Sequence, residues 1–308
     1  MAVTGGCGFI GGHLVDALIE AGVASVIVLD SLKYAAPPVA QPRVAVHQHN
    51  LGRDSVADLA HHLEGVDFLF HLAAEKHNQS LSSPEDVVLS NILGTQGLYA
   101  AAARAGVKKV VFSSSLYAHG RLRGESMLET DVPAPKTLYG ISKLTGEHLG
   151  AYLTATTGIP AVALRYYFAY GPRQYPGLGY KSVIVANFER LLRGEAPLIH
   201  GDGYQSLDYV YVGDVAAATM MAMEKAPAGE LYNVGSGVAT NIVELTKAMI
   251  AVSGSSLAPI YDAADWTAGS RRVGDNDKIC GLGWSPKTSL HDGLSRTWTW
   301  LKNRTSLT

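Results

Sequence analysis

The stretch Thr4-Gly5-Gly6-Cys7-Gly8-Phe9-Ile10-Gly11 decides the fold of this chain. An apolar strand at residues 1–3 leads into four glycines within seven residues, and apolar residues at 14–19 then recur at the spacing of one helix face. Glycine lets a backbone turn tightly and approach a pyrophosphate, and the N-terminus of the next helix offers unpaired N–H groups. The stretch therefore predicts a dinucleotide site with these cofactor-binding residues: Gly5, Gly8, Phe9, Ile10 and Gly11.

Asp30 selects the kind of dinucleotide. It ends a second apolar strand, residues 24–29, about 20 residues beyond the glycines, where an acidic side chain accepts hydrogen bonds from the adenosine ribose of NAD. A carboxylate there would repel a 2′-phosphate, and Lys33 is the only cation close behind it. The sequence therefore favours NAD over NADP, with Asp30 and Ser31 as cofactor residues, and an ordinary glycine-rich turn is the alternative.

Composition limits the class of protein. The chain has 308 residues, of which 47% are hydrophobic and 17% charged, with a formal net charge of −2. Near-neutral charge without long basic runs argues against nucleic acid or an anionic membrane as the main partner. Two cysteines are too few for a disulfide framework, no metal site is predicted, and no signal peptide or bilayer-spanning run is found. We expect a cytoplasmic protein.

Strand and helix patterns alternate through the first half of the chain. This alternation predicts an α/β fold with a doubly wound parallel (Rossmann) sheet and a smaller α/β lobe. The predicted NAD-binding domain spans residues 1–170, with returning segments at about 211–235, and residues 171–308 form most of an interleaved substrate lobe. Further predictions are one long helix at 84–103, a glycine- and proline-rich loop at 175–180, a strand at 206–211 and a loop containing Arg271 and Arg272.

Other cofactor contacts are predicted at the ends of the next strands. Asn50 could hydrogen-bond the adenine and Leu51 could cover its face, although a polar loop fits the same residues. Ala73 and Ala74 follow a buried strand, where small side chains let a flat cofactor approach. Lys76 could offset pyrophosphate charge or could simply be solvated.

Tyr139 and Lys143 are the candidate catalytic pair. They are one helical turn apart and form the only Tyr-x-x-x-Lys among fifteen tyrosines. A phenol with a pKa of about 10 is a poor base at neutral pH, but a nearby ammonium group and an oxidised nicotinamide favour the phenolate. A serine at the end of the strand before them, in the run 113–115, could hydrogen-bond the same substrate oxygen.

The chain resembles the extended short-chain dehydrogenase/reductase family, in its nucleotide-sugar epimerase/dehydratase branch. The matching segments span nearly the whole chain and are residues 4–11, 71–74, 91–95, 113–115, Tyr139 with Lys143, 170–174, 201–203 and 211–214. The resemblance implies tightly held NAD, a lobe that binds a nucleotide diphosphate sugar, and a homodimer through the helices at 84–103 and 138–152. It also implies a catalytic set of Ser115, Tyr139 and Lys143, and cofactor contacts from Leu72, Asn91, Ser113 and Tyr166.

The residues after the serines separate reactions within the family. Dehydratases similar to this sequence carry an Asp-Glu pair where this chain has Leu116-Tyr117, so water loss has no evident proton donor. The resemblance therefore implies a 4-epimerase of the UDP-glucose/UDP-galactose type, or of a glucuronate or N-acetyl relative, acting through a 4-keto sugar. The alternatives are a dehydrogenase, reductase or decarboxylase with another substrate, and a non-catalytic NAD-sensing protein.

Three departures from the family pattern concern substrate binding. Phe168 replaces an asparagine that usually touches the phosphate, Leu207 replaces a diphosphate-binding arginine, and His119 changes the run after the serines. We interpret His119 as structural. The predicted substrate-binding residues, including the cations that could replace the lost arginine, are Ser115, Leu116, Tyr117, Phe168, Arg173, Lys181, Ser182, Leu207, Arg271 and Arg272.

Overall fold

The computed structural model describes residues 1–35, 41–120, 124–174, 181–265 and 267–305. The strands are β1 (Ala2–Thr4), β2 (Val26–Asp30), β3 (Val44–Gln48), β4 (Phe68–His71), β5 (Lys109–Ser115), β6 (Ala161–Tyr166), β7 (Phe168–Tyr170), β8 (Leu198–His200), β9 (Ser206–Leu207), β10 (Tyr209–Tyr211), β11 (Leu231–Val234), β12 (Thr240–Asn241), β13 (Ile260–Asp262) and β14 (Arg271–Arg272). The helices are α1 (Phe9–Glu20), α2 (Val56–His62), α3 (Gln79–Ser82), α4 (Pro84–Val87), α5 (Gly94–Ala105), α6 (Leu138–Thr157), α7 (Val183–Leu192), α8 (Val212–Lys225), α9 (Ile242–Ser253), α10 (Asp277–Cys280) and α11 (Leu290–Thr305).

A parallel sheet of seven strands organises the described residues. Its order is β11-β6-β5-β4-β1-β2-β3, so the connections run outward in both directions from β1. Thr4 at the end of β1 pairs with Leu29 on β2 and with His71 on β4. A parallel sheet whose strand order reverses opens a ligand crevice beyond the carboxyl ends at that point. The doubly wound α/β fold predicted from the sequence is confirmed.

Apolar side chains cover both faces of this sheet. On one face α1 and α8 bury Leu14, Leu18 and Val215 against the strands, and on the other α2, α5 and α6 bury residues such as Leu59 and Leu98. Full burial of one leucine is worth about 1.5–3 kcal/mol, so these layers hold the strand ends in fixed positions.

A smaller lobe lies beyond the sheet. Helices α7, α9 and α11 pack around a separate apolar core, and the strand groups β8–β13 and β12–β9–β14 lie in the same part of the chain. Between them the chain returns to the large sheet, because α8 packs on α1 and β11 pairs with β6. The functional division into domains at residue 170 stays a prediction.

The structure differs from three local predictions. The helix predicted at 84–103 is interrupted by a π-helical segment, Val88–Leu93, where Leu89 O lies so close to Gly52 that a Cβ there would collide with it. The strand predicted at 206–211 is divided at Asp208, and the loop at Arg271–Arg272 is strand β14, paired with β9. These features depend on partners distant in sequence. The loop predicted at 175–180 lies outside the described residues.

Candidate active site

The glycine turn leaves room for a dinucleotide at the end of β1. Gly5 has φ +70°, and a Cβ atom there would lie 2.7 Å from Ala73 N. A Cβ atom at Gly11 would collide with Gly5 O, so both positions require glycine. Helix α1 begins at Phe9 after Gly8, and its first N–H groups point out of the helix toward this turn. The cradle fits a pyrophosphate.

Asp30 links the glycine turn to the end of β2. Its Oδ2 accepts from Cys7 N–H at 3.0 Å and its Oδ1 from Leu32 N–H at 2.9 Å, and each oxygen keeps acceptor capacity for a ribose hydroxyl. Ser31 follows directly. Lys33, the cation that follows Asp30 most closely, forms ion pairs with Glu75 at 3.1 Å and with Asp86 at 3.0 Å. This arrangement fits NAD better than NADP.

A buried histidine fixes the end of β4. Burial, with Lys143 nearby, lowers the pKa of His71 to about 3, so the ring is neutral. The Thr95 hydroxyl donates to Asn91 O at 2.7 Å, so it accepts from His71 Nε2 at 2.9 Å, and His71 Nδ1 accepts from Thr4 Oγ1 at 2.8 Å. Thr4 Oγ1 in turn accepts from Ala73 N–H at 3.2 Å. This chain holds the half-buried residues Leu72, Ala73 and Ala74 beside the glycine turn.

Some predicted cofactor residues make contacts within the protein. Asn50 donates its main-chain and side-chain N–H groups to Asp54 Oδ2 at 2.7 and 3.1 Å. Leu51 is buried in the core between the sheet and its helices. Lys76 is exposed, with its Nζ 5.2 Å from the centroid of the Tyr34 ring. Their contacts with NAD stay predictions.

Asn91 and Tyr166 are buried, and both support the cleft from behind. Asn91 accepts from Glu75 N–H at 2.7 Å and donates to Glu75 O and Ser142 Oγ, each at 3.1 Å. The Tyr166 hydroxyl lies 2.7 Å from Thr219 Oγ1. These side chains position the loop after β4 and the strand β6, and their contacts with NAD stay predictions.

Helix α6 and strand β5 bring the predicted catalytic residues together. The Thr137 side chain caps α6, which places Tyr139 and Lys143 one turn apart at its start. Ser115 at the end of β5 faces the Tyr139 side chain, and its hydroxyl lowers the pKa of the Tyr139 phenol. Lys143 Nζ donates to Ser113 O at 2.7 Å and lies 5.7 Å from the centroid of the Tyr139 ring.

The electrostatics of this set depend on burial. Burial raises the pKa of Tyr139 to about 12, although the hydrogen bond from Ser115 lowers it. Burial also lowers the pKa of Lys143 to about 7, while the charge of Glu147 raises it. A positive charge on Lys143 favours the phenolate of Tyr139, so the two protonation states are coupled. The arrangement can exchange one proton with a bound alcohol.

An aromatic wall stands beside Tyr139. The Tyr117 ring stacks on His77 with centroids 4.2 Å apart and meets the Tyr139 ring edge-on at 5.9 Å. Arg272 lies on the same ring, with its guanidinium carbon 5.5 Å from the centroid and Nη1 3.4 Å from the Tyr117 hydroxyl. Leu116 is buried next to Met127 and Tyr167. The position of the dehydratase glutamate is thus aromatic.

Of the predicted substrate cations, Arg272 lies at the Tyr117 ring, and the other three contact groups elsewhere in the protein. Arg173 pairs with Asp16 on α1 at 2.7 Å, and Lys181 pairs with Glu189 on α7 at 2.6 Å. Arg271 donates to Glu125 O at 3.1 Å. Among these four cations, only Arg272 has a described contact with the aromatic wall.

The other predicted substrate residues of this lobe make contacts within the protein. Ser182 caps α7 and donates to Gln174 Oε1 at 3.0 Å. Phe168 packs on Tyr209, with ring centroids 6.0 Å apart. Leu207 is buried on β9, in register with Arg272 on β14.

A buried network behind α6, the helix that carries Tyr139 and Lys143, was not predicted from the sequence. Glu147, one turn after Lys143, pairs with Arg165 on β6, and Ser114 donates to the same carboxylate. Arg165 also donates to His119. A glutamate four residues after the lysine and an arginine inside an apolar strand were the available signals.

The described residues contain neither a metal-binding cluster nor a membrane-spanning helix. No cluster of three or more His, Cys, Asp or Glu side chains among them has the arrangement of a metal site. None of the helices in the described ranges combines the length and the apolar character that crossing a bilayer requires.

Comparison with known proteins identifies the family. Residues 1–235 match the NAD dependent epimerase/dehydratase family. A putative UDP-glucose 4-epimerase of Methanocaldococcus jannaschii is 34% identical over 98% of each chain, and a dTDP-glucose 4,6-dehydratase of an Actinoplanes species is 31% identical over 97% of each. The crystal structure of a UDP-glucose 4-epimerase from Thermotoga maritima with UDP-glucose superposes with a TM-score of 0.92, at 34% identity, covering 100% of this chain and 99% of that one.

These similarities extend over the glycine turn, the sheet and the helix that carries Tyr139 and Lys143. They confirm the family and the cofactor that the sequence analysis predicted. The chain belongs to the NAD-dependent epimerase/dehydratase family and is an NAD-dependent enzyme of that type.

Proposed function

We propose that this enzyme is a 4-epimerase of a nucleotide diphosphate sugar, with UDP-glucose and UDP-galactose, or their glucuronate or N-acetyl relatives, as substrates. One observation supports epimerisation over dehydration. Tyr117 occupies the position where similar dehydratases carry a glutamate, and it is packed between His77 and Arg272. Loss of water needs an acid at that place, whereas epimerisation needs a single proton carrier.

The residues of this chain then have distinct tasks. Bound NAD supplies hydride transfer, and the glycine turn with Asp30 would hold it. The Tyr139 phenolate takes the proton of the C4 hydroxyl, and the phenol so formed later returns it, while Ser115 hydrogen-bonds the same substrate oxygen. Lys143 stabilises the phenolate and is held by Ser113 O at 2.7 Å. The 4-keto sugar must turn over in the cleft before the proton is returned.

We propose Arg272 as the cation that binds the diphosphate. It is in register with Leu207, where the family arginine is missing, and neighbouring strands lie only about 4.8 Å apart. Loss of a charge-assisted contact costs about 1.5–3 kcal/mol, so Arg272→Met should raise KM by about 10- to 150-fold. Arg193→Met, an exposed cation paired with Glu195, is the control and should leave KM unchanged. An unchanged KM in Arg272→Met would contradict the assignment.

We also propose a homodimer through the two long helical segments. Leu93 and Val88 on the first, and Ile141 and Tyr152 on α6, are 52%, 38%, 45% and 67% exposed. Ile141 and Tyr152 are three turns apart and share one face of α6. Ile141→Asp should shift the protein to the monomer mass in light scattering, and a monomeric wild type would contradict the proposal. The cytoplasmic location stays a prediction.

A screen of UDP-sugars by NMR tests the reaction. We expect an isomer inverted at C4, without release of stoichiometric NADH into solution. A 4-keto-6-deoxy product would indicate dehydration, and it would contradict the argument that Tyr117, in place of a glutamate, prevents the loss of water. Accumulation of free NADH would indicate a dehydrogenase.

A further inference from the structure

A chain of buried hydrogen bonds begins at the helix that carries the catalytic pair. Glu147 accepts from Arg165 Nε at 2.8 Å and Nη2 at 2.7 Å, and from the Ser114 hydroxyl. The Arg165 side chain is 2% exposed. Ser114 lies between Ser113, whose carbonyl holds Lys143, and Ser115. Glu147 therefore holds α6 against β6 through the ion pair and against the end of β5 through Ser114.

His119 is the next residue in this chain of hydrogen bonds, and its two ring nitrogens have different roles. Arg165 Nη1 lies 3.1 Å from His119 Nδ1 and 3.3 Å from His119 Nε2, and a guanidinium group can only donate, so it donates to the ring nitrogen that carries no proton. The Asn233 side chain decides which nitrogen that is: its Nδ2 donates to Met127 O, so its Oδ1 accepts from His119 Nε2–H at 2.8 Å and Nδ1 is left as the acceptor. Burial, together with the charge of Arg165, lowers the pKa of His119 to about 4, in agreement with a neutral ring.

The far end of the chain reaches the segment that follows Arg272. Asn233 Nδ2 donates to Met127 O at 2.9 Å. Met127 N–H donates to Val273 O at 2.8 Å, and Asp275 N–H donates to Met127 O at 2.9 Å. Consecutive hydrogen bonds thus connect the turn of Lys143 with the strand end that carries Arg272.

We propose that His119 is a positioning residue that couples the Arg272 segment to the catalytic set. Its neutral ring accepts from Arg165 and donates to Asn233, so the position of one end restrains the other. This role rests on the proposed function, because Ser115, Tyr139 and Lys143 are the groups that are positioned. A purely structural histidine would contribute to folding without affecting the turnover of the folded enzyme.

Three variants separate the two hydrogen bonds of His119. His119→Phe keeps a ring of similar shape and loses both bonds. In His119→Asn the side-chain oxygen can still accept from Arg165, and in His119→Gln the longer amide can still donate to Asn233. Thr297→Val is the control, because it removes a buried local bond to Gly293 O, 2.7 Å long, in α11.

We would measure kcat and KM with UDP-galactose, and the melting temperature, on protein loaded with NAD. Misplacement of reacting groups by about 1 Å can cost about a hundredfold, so His119→Phe should lose about ten- to a hundredfold in kcat. His119→Asn should recover more of kcat than His119→Gln, because Arg165 pairs with Glu147 on the helix that carries Lys143. Thr297→Val should lower only the melting temperature.

Two results would overturn the proposal. The first is a folded His119→Phe variant with wild-type kcat. The second is equal kcat in the His119→Asn and His119→Gln variants, and this result tests the proposal even when His119→Phe does not fold. A wild type that converts no UDP-sugar would refute the proposed function and this role with it, whereas an active wild type with unaffected variants would refute the role alone.

Discussion

Tyr139→Phe tests the proposed proton carrier by removing one oxygen atom. The phenylalanine ring can keep its edge-on contacts with Tyr117, at 5.9 Å, and with His77, at 6.2 Å. The lost hydrogen bond to Ser115 is worth about 0.5–1.5 kcal/mol, so the variant should fold and retain NAD. General acid–base catalysis by a positioned side chain contributes about 10²- to 10⁴-fold. We therefore expect kcat to fall by that factor, about 3–5 kcal/mol in activation free energy.

The assay is the NMR-monitored interconversion of UDP-galactose and UDP-glucose, with bound NAD measured by its absorbance after release. Tyr99→Phe is the matched control, because Tyr99 is a buried tyrosine whose hydroxyl has no hydrogen-bond partner within the described part of the chain. It should keep full activity. A Tyr139→Phe variant with more than about a tenth of the wild-type kcat would refute the assignment of the base.

Three further predictions concern the cofactor, the diphosphate and pH. Asp30→Asn should weaken NAD binding by about 10- to 150-fold and reduce the preference over NADP, as measured by calorimetry. Leu207→Arg should lower KM for the UDP-sugar, because it adds a cation beside Arg272. Burial lowers the pKa of Lys143 from 10.5 to about 7, so between these pH values the unfolded chain binds a proton that the folded one lacks. Lys143 should therefore contribute a rise in the free energy of unfolding with pH of up to about 1.4 kcal/mol per unit, and Lys143→Met should reduce the observed slope in denaturant titrations.

Each of these predictions has a contradicting result. Unchanged NAD affinity in Asp30→Asn would show that the carboxylate only anchors Cys7 and Leu32. A higher KM in Leu207→Arg would mean that the buried position on β9 does not face the diphosphate. Equal pH slopes in the wild type and Lys143→Met would mean that the lysine stays protonated when the protein folds.

The parts of the site that are local in sequence could be predicted. The glycine turn, Asp30 at the end of β2, and the Tyr139–Lys143 pair each need only one strand, one turn or one helix to define their geometry. The order of strands and helices then brings their ends to one edge of the sheet, since parallel strands share that edge. The sheet and the cofactor therefore followed from the sequence.

Features that depend on distant partners could not be predicted. The π-helical segment arises where Gly52 meets Leu89, and β14 exists because Arg271 and Arg272 pair with β9. The link from Arg165 to His119 joins residues 46 positions apart, and the link from His119 to Asn233 joins residues 114 apart. No periodicity in a single sequence carries such information.

The replacement of the family arginine by Leu207 illustrates the consequence for function. Taken alone, the substitution argues against a diphosphate site, because it removes a cation from a buried strand. In the folded chain the side chain of Leu207 contributes to an apolar core, and Arg272 is its register partner on β14. Partners in adjacent parallel strands project from the same face of a sheet, so a charge moved from one strand to the next stays within a few ångströms of its former place. If Arg272 binds the diphosphate as proposed, the strand pairing, rather than the sequence position, determines where the binding cation lies.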